Sequence, residues 1–258
     1  MRMTDNTILI TGGGSGIGRA LAEAFHTLGN QVIIAGRRQA VLDEVTAAHP
    51  GMASGVLDIE SASDIERFAA QIQRDYPALN AVIHNAGIMR AENLLTASTH
   101  TANAEATIAT NLLGPIRLNA ALLPPLLAQP QASVMTVSSG LAFVPLAANP
   151  TYCATKAAIH SYTQSLRYQL KESKVQVLEL VPPYVQTGLM GARQASDPHA
   201  MPLKDFIAEV MRILTHSPDA TEICVERVKP LRQAGASGNY DGFYKTFNDA
   251  MAAARVGD

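Results

Sequence analysis

Residues 7–28 constrain the fold more than any other stretch. Thr7–Thr11 (TILIT) is β-branched, continuous and closed by glycines, the pattern of a strand buried on both faces. Gly12-Gly13-Gly14-Ser15-Gly16-Ile17-Gly18 follows directly, and residues 19–28 then set Leu21, Ala24, Phe25 and Leu28 at helical spacing. Strand, glycine turn and helix in that order are the context a phosphate-binding turn needs. Glycine lets the backbone turn tightly and lets a pyrophosphate approach it. The helix N-terminus adds unpaired N–H groups and a partial positive charge. The expectation from this stretch is a phosphate-binding turn.

The rest of the chain repeats the alternation. Strand patterns at 31–35 (QVIIA), 53–58, 81–84, 132–138 (ASVMTVS), 175–181 and 223–225 are separated by helical ones. Helices are predicted over 38–49, 65–76, 103–127, a long stretch bearing Tyr152 and Lys156, 203–214 and 240–254. Ser61-Ala62-Ser63-Asp64 reads as an N-terminal cap, with Ile65, Phe68, Ala69, Ile72 and Tyr76 forming an amphipathic face behind it. Such alternation specifies an α/β fold: a three-layer, doubly wound parallel sheet in a single domain over 1–258, without repeats or linkers. Residues 88–100 are less regular, and 183–202 have no periodicity. A connection as long as the second, inside a compact fold, serves as a substrate loop or lid.

Composition narrows the function classes. With 258 residues, 47% apolar and 16% charged, the chain can build a sizeable core and lacks the bias of a disordered segment. A net charge of −2 without a basic run offers nothing to nucleic acid or an anionic membrane. No apolar run reaches the roughly 20 residues that span a bilayer. The two cysteines, Cys153 and Cys224, form no CxxC and sit in no Cys/His cluster, which argues against a metal site and against disulfides. Residues 1–6 lack a signal peptide's apolar core, so a reducing cytoplasm is the expected compartment.

One helix carries candidate chemistry. Of seven tyrosines, only Tyr152 has a lysine four residues later, Lys156, which sets both side chains on one helix face a turn apart. A phenol titrates near ~10 when unperturbed, and an ammonium beside it favours the phenolate. A tyrosine tuned this way can exchange a proton with a substrate oxygen near neutral pH. The alternative is an exposed helix pair. Asn111, among Ile108, Leu112 and Ile116, must find partners: it either caps a kink before Gly114-Pro115 or holds an ordered water in a site. Asn85-Ala86-Gly87 closes the fourth strand with small residues, leaving room for a ligand or forming an ordinary turn. Cys153 is read as a small apolar filler, since no base or second cysteine neighbours it in sequence.

The residue closing the second strand of a dinucleotide fold reads the adenosine ribose. An acidic side chain accepts from the 2′-hydroxyl, whereas arginine suits a 2′-phosphate. Here Gly36 is followed by Arg37 and Arg38, which favours NADP(H), with NAD(H) still able to bind. The alternative is that both arginines are solvated helix-entry charges.

Taken in order, these motifs resemble the short-chain dehydrogenase/reductase family, closely over residues 7–187. The family's Thr-Gly-x-x-x-Gly-x-Gly matches Thr11, Gly12, Gly16 and Gly18, its adenine-contacting Asp matches Asp58, and its Asn-Ala-Gly matches Asn85-Ala86-Gly87. The four catalytic positions fall on Asn111, Ser139, Tyr152 and Lys156, with the serine 13 residues before the tyrosine. Where the family has Pro-Gly this chain has Pro182-Pro183, while Val185 and Thr187 still match. That variant, with Glu179-Leu180-Val181 before it, resembles the family's DltE-type oxidoreductase branch. The second proline removes a backbone donor and fixes φ, which alters loop geometry rather than chemistry.

The resemblance implies a Rossmann fold and an NAD(P)-dependent oxidoreductase, a carbonyl reductase that moves hydride between NADPH and a carbonyl or secondary alcohol without a metal. It implies cofactor contacts from Thr11, Gly12, Gly14, Ser15, Gly16, Ile17 and Gly18, from Arg37, Arg38, Asp58 and Ile59, and from Asn85, Ala86 and Gly87. Pro182, Val185, Thr187, Tyr152 and Lys156 complete the implied set. Tyr152 is implied as proton donor or acceptor, and Lys156 as the ammonium that acidifies it and holds the ribose. Ser139 is implied as a donor to the substrate oxygen, and Asn111 as the anchor of a water leading to Lys156.

Leu141, Phe143, Val144 and Pro145, together with Leu189 and Met190, would flank the substrate, and Arg193 is the one arginine there that could bind a carboxylate, so a neutral, hydrophobic ketone or aldehyde is expected; alternatively these residues only pack the loops. A homodimer or homotetramer through Ala157, Ser161 and Ser165 is a further expectation. The competing functions are a catalytically silent dinucleotide sensor, which would lack the tyrosine or lysine, and a SAM-dependent methyltransferase, which leaves Ser139, Tyr152 and Lys156 unexplained.

Overall fold

Strand side chains alternate between two faces, and that alternation divides the molecule into layers. Ile8 and Ile10 pack on one face with Leu21, Phe25 and Phe206. Leu9, between them, packs on the other with Phe68, Leu118 and Leu122. The structure, a computed structural model, describes residues 1–95 and 100–256. The strands are β1 (Thr7–Thr11), β2 (Gln31–Gly36), β3 (Ala53–Val56), β4 (Leu79–His84), β5 (Ala132–Val137), β6 (Val175–Val181) and β7 (Glu222–Cys224). They form one sheet in the order β3-β2-β1-β4-β5-β6-β7, and each neighbouring pair is parallel. Strand order reverses between β1 and β4, so the loops leaving their carboxyl ends diverge and open a crevice there.

The helices are α1 (Gly16–Thr27), α2 (Gln39–Ala48), α3 (Ala62–Asp75), α4 (His100–Ile108), α5 (Gly114–Ala128), α6 (Pro150–Gln169), α7 (Ala192–Ser196), α8 (Leu203–His216), α9 (Lys229–Gln233) and α10 (Tyr240–Val256). The predicted cap of α3 forms: the Ser61 side chain accepts from the Asp64 N–H at 3.2 Å. Pro150 opens α6, where a missing N–H costs nothing. Glu92 caps the same end, accepting from the Thr151 N–H at 3.1 Å and its hydroxyl at 2.8 Å.

Two predicted elements change form. The single helix predicted over 103–127 is α4 and α5 joined by a π-helical turn, Ala109–Leu113, which carries Asn111. The third strand stops at Val56 instead of 58, leaving Asp58 in the turn beyond it. The predicted loop 183–202 contains α7 and a parallel bridge between Val185 and Met201. The irregular stretch 88–100 lies partly outside the described residues. Among the described residues no helix is long and apolar enough to cross a membrane.

Candidate active site

Thr11 joins the two strands that flank the crevice. Its Oγ1 accepts from the Asn85 and Ala86 N–H groups, both at 3.1 Å, and Asn85 Nδ2 donates to the Thr11 carbonyl at 3.0 Å. The glycine turn is fitted against this lock. Gly12 has φ +68°, and a Cβ there would sit 2.9 Å from Asn85 Nδ2. A Cβ on Gly18 would meet the Gly12 carbonyl oxygen at 2.4 Å, so Gly18 brings α1 against β1 and faces the turn rather than the crevice. The Ser15 side chain makes no capping bond at the α1 N-terminus, and no acidic residue stands in the first turn. Those first-turn N–H groups are therefore ready for an anion, and a dinucleotide pyrophosphate fits the residues present.

From this turn a groove of about 650 Å³ runs along the carboxyl ends of the strands. Its near end is formed by Gly12, Ser15, Gly16, Ile17, Arg37 and Arg38, its middle by Asn85, Ala86 and Gly87. Val137, Ser139, Tyr152 and Lys156 form the far wall, with Pro182, Val185 and Thr187 above them. Thr11, Gly14 and Ile59 line the adjoining recess beside Arg37 and Arg38. Arg37 is 3.5 Å from Glu60 and largely exposed. Asp58 is engaged locally: its N–H donates to Asp64 at 2.7 Å and its carboxylate accepts from the Glu60 N–H at 3.1 Å.

Tyr152 and Lys156 are both buried, which removes the exposed-pair reading. Lys156 Nζ donates to the Val137 carbonyl at 2.8 Å and lies 5.6 Å from the Tyr152 ring centroid. The expected acidification of the phenol is not what prevails here. Burial pushes Tyr152 above its ordinary value, and the Ser139 hydroxyl pulls weakly the other way. Burial also pushes the Lys156 ammonium down to about 8, opposed by the charge of Glu179. Ser139 accepts from the Leu141 N–H at 3.1 Å, which leaves its own proton available to donate.

Asn111 uses its amide as a clamp. Oδ1 accepts from the Ile88 N–H at 2.8 Å, and Nδ2 donates to the Ile88 carbonyl at 2.9 Å and to Thr155 Oγ1 at 3.2 Å. Neither the kink nor the water reading anticipated this link between the β4 exit and α6. The π turn is what aims the side chain there, and such turns collect at functional sites. Cys153 packs as the expected filler: it is buried, and burial pushes its thiol up to about 11.

A second cavity, about 210 Å³, meets the groove at Ser139, Tyr152, Pro182 and Pro183. Its wall is mainly apolar: Leu141, Leu189 and Met190 line it as predicted, Phe143, Val144 and Pro145 do not, and Arg193 and Asp197 add charged groups. It also takes Leu231 from α9 and Phe247 and Met251 from α10, residues whose role sequence reasoning missed. The four-residue spacing of Phe247 and Met251 was the available signal, since it puts both on one face of a tail helix. The loop above the cavity is pinned: Gln194 Nε2 donates to the Val185 carbonyl at 2.8 Å, and the Tyr184 hydroxyl donates to Asp197 at 3.0 Å.

A glycine turn at the β1/β4 reversal, and a buried tyrosine–lysine helix forming the crevice wall, define a dinucleotide-binding α/β fold of the oxidoreductase class. The short chain dehydrogenase family model matches residues 6–198, and the chain belongs to that family. A protein described as "Uncharacterized oxidoreductase DltE", from Bacillus subtilis (strain 168), is 38% identical over 251 residues, spanning 96% of this chain and 98% of that one. A short chain dehydrogenase from Burkholderia cenocepacia J2315 in complex with NADP shares the fold with TM-score 0.80 and 22% identity, over 95% of this chain and 98% of that one. A short chain dehydrogenase/reductase from Burkholderia phymatum in complex with NAD does so with TM-score 0.79 and 19% identity, over 92% and 95%.

Proposed function

We propose that this protein is an NADP(H)-preferring oxidoreductase that reduces a neutral, hydrophobic ketone or aldehyde to an alcohol. One observation carries the reading: Tyr152 and Ser139 line both the dinucleotide groove and the apolar cavity, so they stand where the two meet. Family membership supports the reaction class. Bound reduced nicotinamide supplies the hydride. A substrate carbonyl in the cavity would have its oxygen toward the Ser139 and Tyr152 hydroxyls. Ser139 donates a hydrogen bond to the oxygen as negative charge develops there. Tyr152 then transfers its proton to that oxygen. Burial keeps the phenol protonated, which is the form that reduction consumes. The nearby Lys156 ammonium offsets the phenolate left behind. Leu189, Met190, Phe247 and Met251 exclude water and bind apolar groups.

The preference for NADP(H) is supported by Arg37 and Arg38 beside the recess where the adenosine end would lie. The test is a panel of neutral and charged carbonyls, with consumption of NADPH and NADH followed in parallel. Turnover of apolar carbonyls with a lower KM for NADPH is expected. Equal KM values remove the cofactor preference, and faster reduction of charged substrates removes the substrate class. Cofactor binding without turnover of any carbonyl removes the enzyme reading.

A further inference from the structure

Beneath Lys156 lies a row of charges that the proposed reaction leaves unused. Tyr152, Lys156 and His160 recur every four residues along α6, one stripe on the helix face. Thr136, Glu179 and Glu222 stand in register across β5, β6 and β7, so their side chains leave the sheet on one side. Glu179 has no exposed surface. Its two carboxylate oxygens lie 3.0 and 2.8 Å from His160 Nδ1, and His160 Nε2 meets Gln164 at 3.1 Å. Lys156 reaches the same region, because its Nζ is held by the carbonyl of Val137, next in chain to Thr136.

A carboxylate without exposure is costly unless charges and donors compensate it. We propose that Glu179 is the buried counter-charge of Lys156 and sets the pH at which the lysine gives up its proton. The inference rests on the role given to Lys156 above. His160 supplies the hydrogen bond that fixes the carboxylate. Two physical points support the assignment. Burial alone drives Lys156 toward the neutral amine, and the charge of Glu179 is what opposes it. The other carboxylate in the row is already neutralised, since Arg232 donates to both oxygens of Glu222 at 2.7 and 3.0 Å.

The remaining groups around Glu179 leave that pairing intact. Cys224 faces it from β7, with burial pushing the thiol up to about 11, and Arg167 on α6 is engaged by the Val177 and Thr221 carbonyls. His84, in the same row on β4, is kept neutral by burial, its pKa lowered to about 4. On the lysine's side stand Tyr152, which burial keeps protonated, and Ser139, whose hydroxyl carries no charge. The His160, Glu179 and Glu222 ligand atoms lie within 4.8 Å of one another, a spacing a divalent cation could use. The Arg232 guanidinium already serves as the cation there.

The experiment follows Lys156 directly. The protein has six lysines, so 13Cε-lysine labelling gives a resolvable NMR spectrum, with Lys156 assigned by its loss in Lys156→Met. In Glu179→Gln the Lys156 resonance is expected to titrate about one unit or more below the native value, an effect typical of losing a neighbouring opposite charge. The alkaline limb of the kcat/KM profile should move down by the same amount. Glu179→Asp, which retracts the carboxylate by one methylene and is the gentler change to the core, should fall between native and Gln. A folded Gln or Asp variant whose Lys156 titration is unmoved overturns the inference whatever its Tm; a fall in Tm alone then makes the carboxylate merely structural. The NMR titration needs no turnover. An enzyme inactive on every carbonyl therefore defeats the proposed function without touching this result.

Discussion

The Lys156 ammonium lies 5.6 Å from the centre of the Tyr152 ring, and its hydrogen bond goes to the Val137 carbonyl rather than to the phenol. The two groups therefore act on each other through charge and not through a shared proton. Both are buried, and burial disfavours ionisation of each: it raises the phenol and lowers the ammonium. A protonated tyrosine beside a lysine whose pKa burial lowers to about 8 is an acid waiting for an acceptor.

Tyr152→Phe removes that acid and nothing else from the wall of the groove. Turnover is expected to fall by about 10² to 10⁴, the usual contribution of a positioned proton donor. Cofactor affinity should remain close to native. Steady-state kinetics together with a fluorescence titration of NADPH check both halves, and a Phe variant with native kcat defeats the assignment.

Lys156 also gives the fold a pH signature. Its folded pKa is lowered to about 8, whereas an unfolded lysine titrates near ~10.4. Between these values the unfolded chain holds a proton that the folded one has released, so the lysine's contribution to stability rises with pH across that window. Below about pH 8 its buried charge costs the most. Between pH 7 and pH 10 the stability difference between native protein and Lys156→Met should shift in the native protein's favour by about 2.5 kcal/mol, at 1.36 kcal/mol per unit. Urea unfolding at pH 7 and pH 10 measures it; a constant difference would show that Lys156 titrates normally.

Gly18→Ala tests the packing of the phosphate turn. The new methyl would stand 2.4 Å from the Gly12 carbonyl oxygen and 2.3 Å from Asn85 Nδ2; the first is backbone and retreats only if the turn moves, and the second retreats only by giving up its bond to the Thr11 carbonyl. A loss of about 1–3 kcal/mol is expected from such overpacking, with weaker NADPH binding because the displaced atoms belong to the turn. Gly235→Ala is the control, since open space surrounds it. Denaturant unfolding and a cofactor titration on both variants give the comparison.

Phe247→Ala enlarges the apolar cavity from the side of α10. Phe247 packs against the cluster of Leu146, Tyr152 and Cys153 and lines the cavity with Met251. Phe247 is only partly buried, so losing it forfeits a fraction of the about 1.5–3 kcal/mol that full burial of such a side chain carries, and KM for apolar carbonyls should rise several-fold. KM for the smallest substrates should change less. A uniform loss across substrate sizes would place α10 outside the specificity machinery.

Much of the molecule could be read before any coordinates. The alternating strand and helix patterns, the glycine turn after Thr11, the Ser61 cap and the Tyr152–Lys156 spacing all appear where local periodicity put them. These features depend on residues within a turn or two of each other, so the chain records them directly. The π turn at Asn111 was not legible, because the partner it turns the side chain toward, Ile88, lies 23 positions away in the chain. The bonds Asp58 makes to Asp64 and Glu60 were likewise not legible, because a motif match names a residue and not the neighbours that position it.

Sequence by itself settled the order of elements, the family and the residues that could do chemistry, since motif spacing and apolar period are properties of neighbours along the chain. Tertiary structure decided how those residues behave. The direction of the Tyr152 shift, the counter-charge from Glu179 and the closing of the cavity by Phe247 each come from burial. Burial is a property of contacts between distant segments: it sets the local dielectric, which spacing along the chain does not encode.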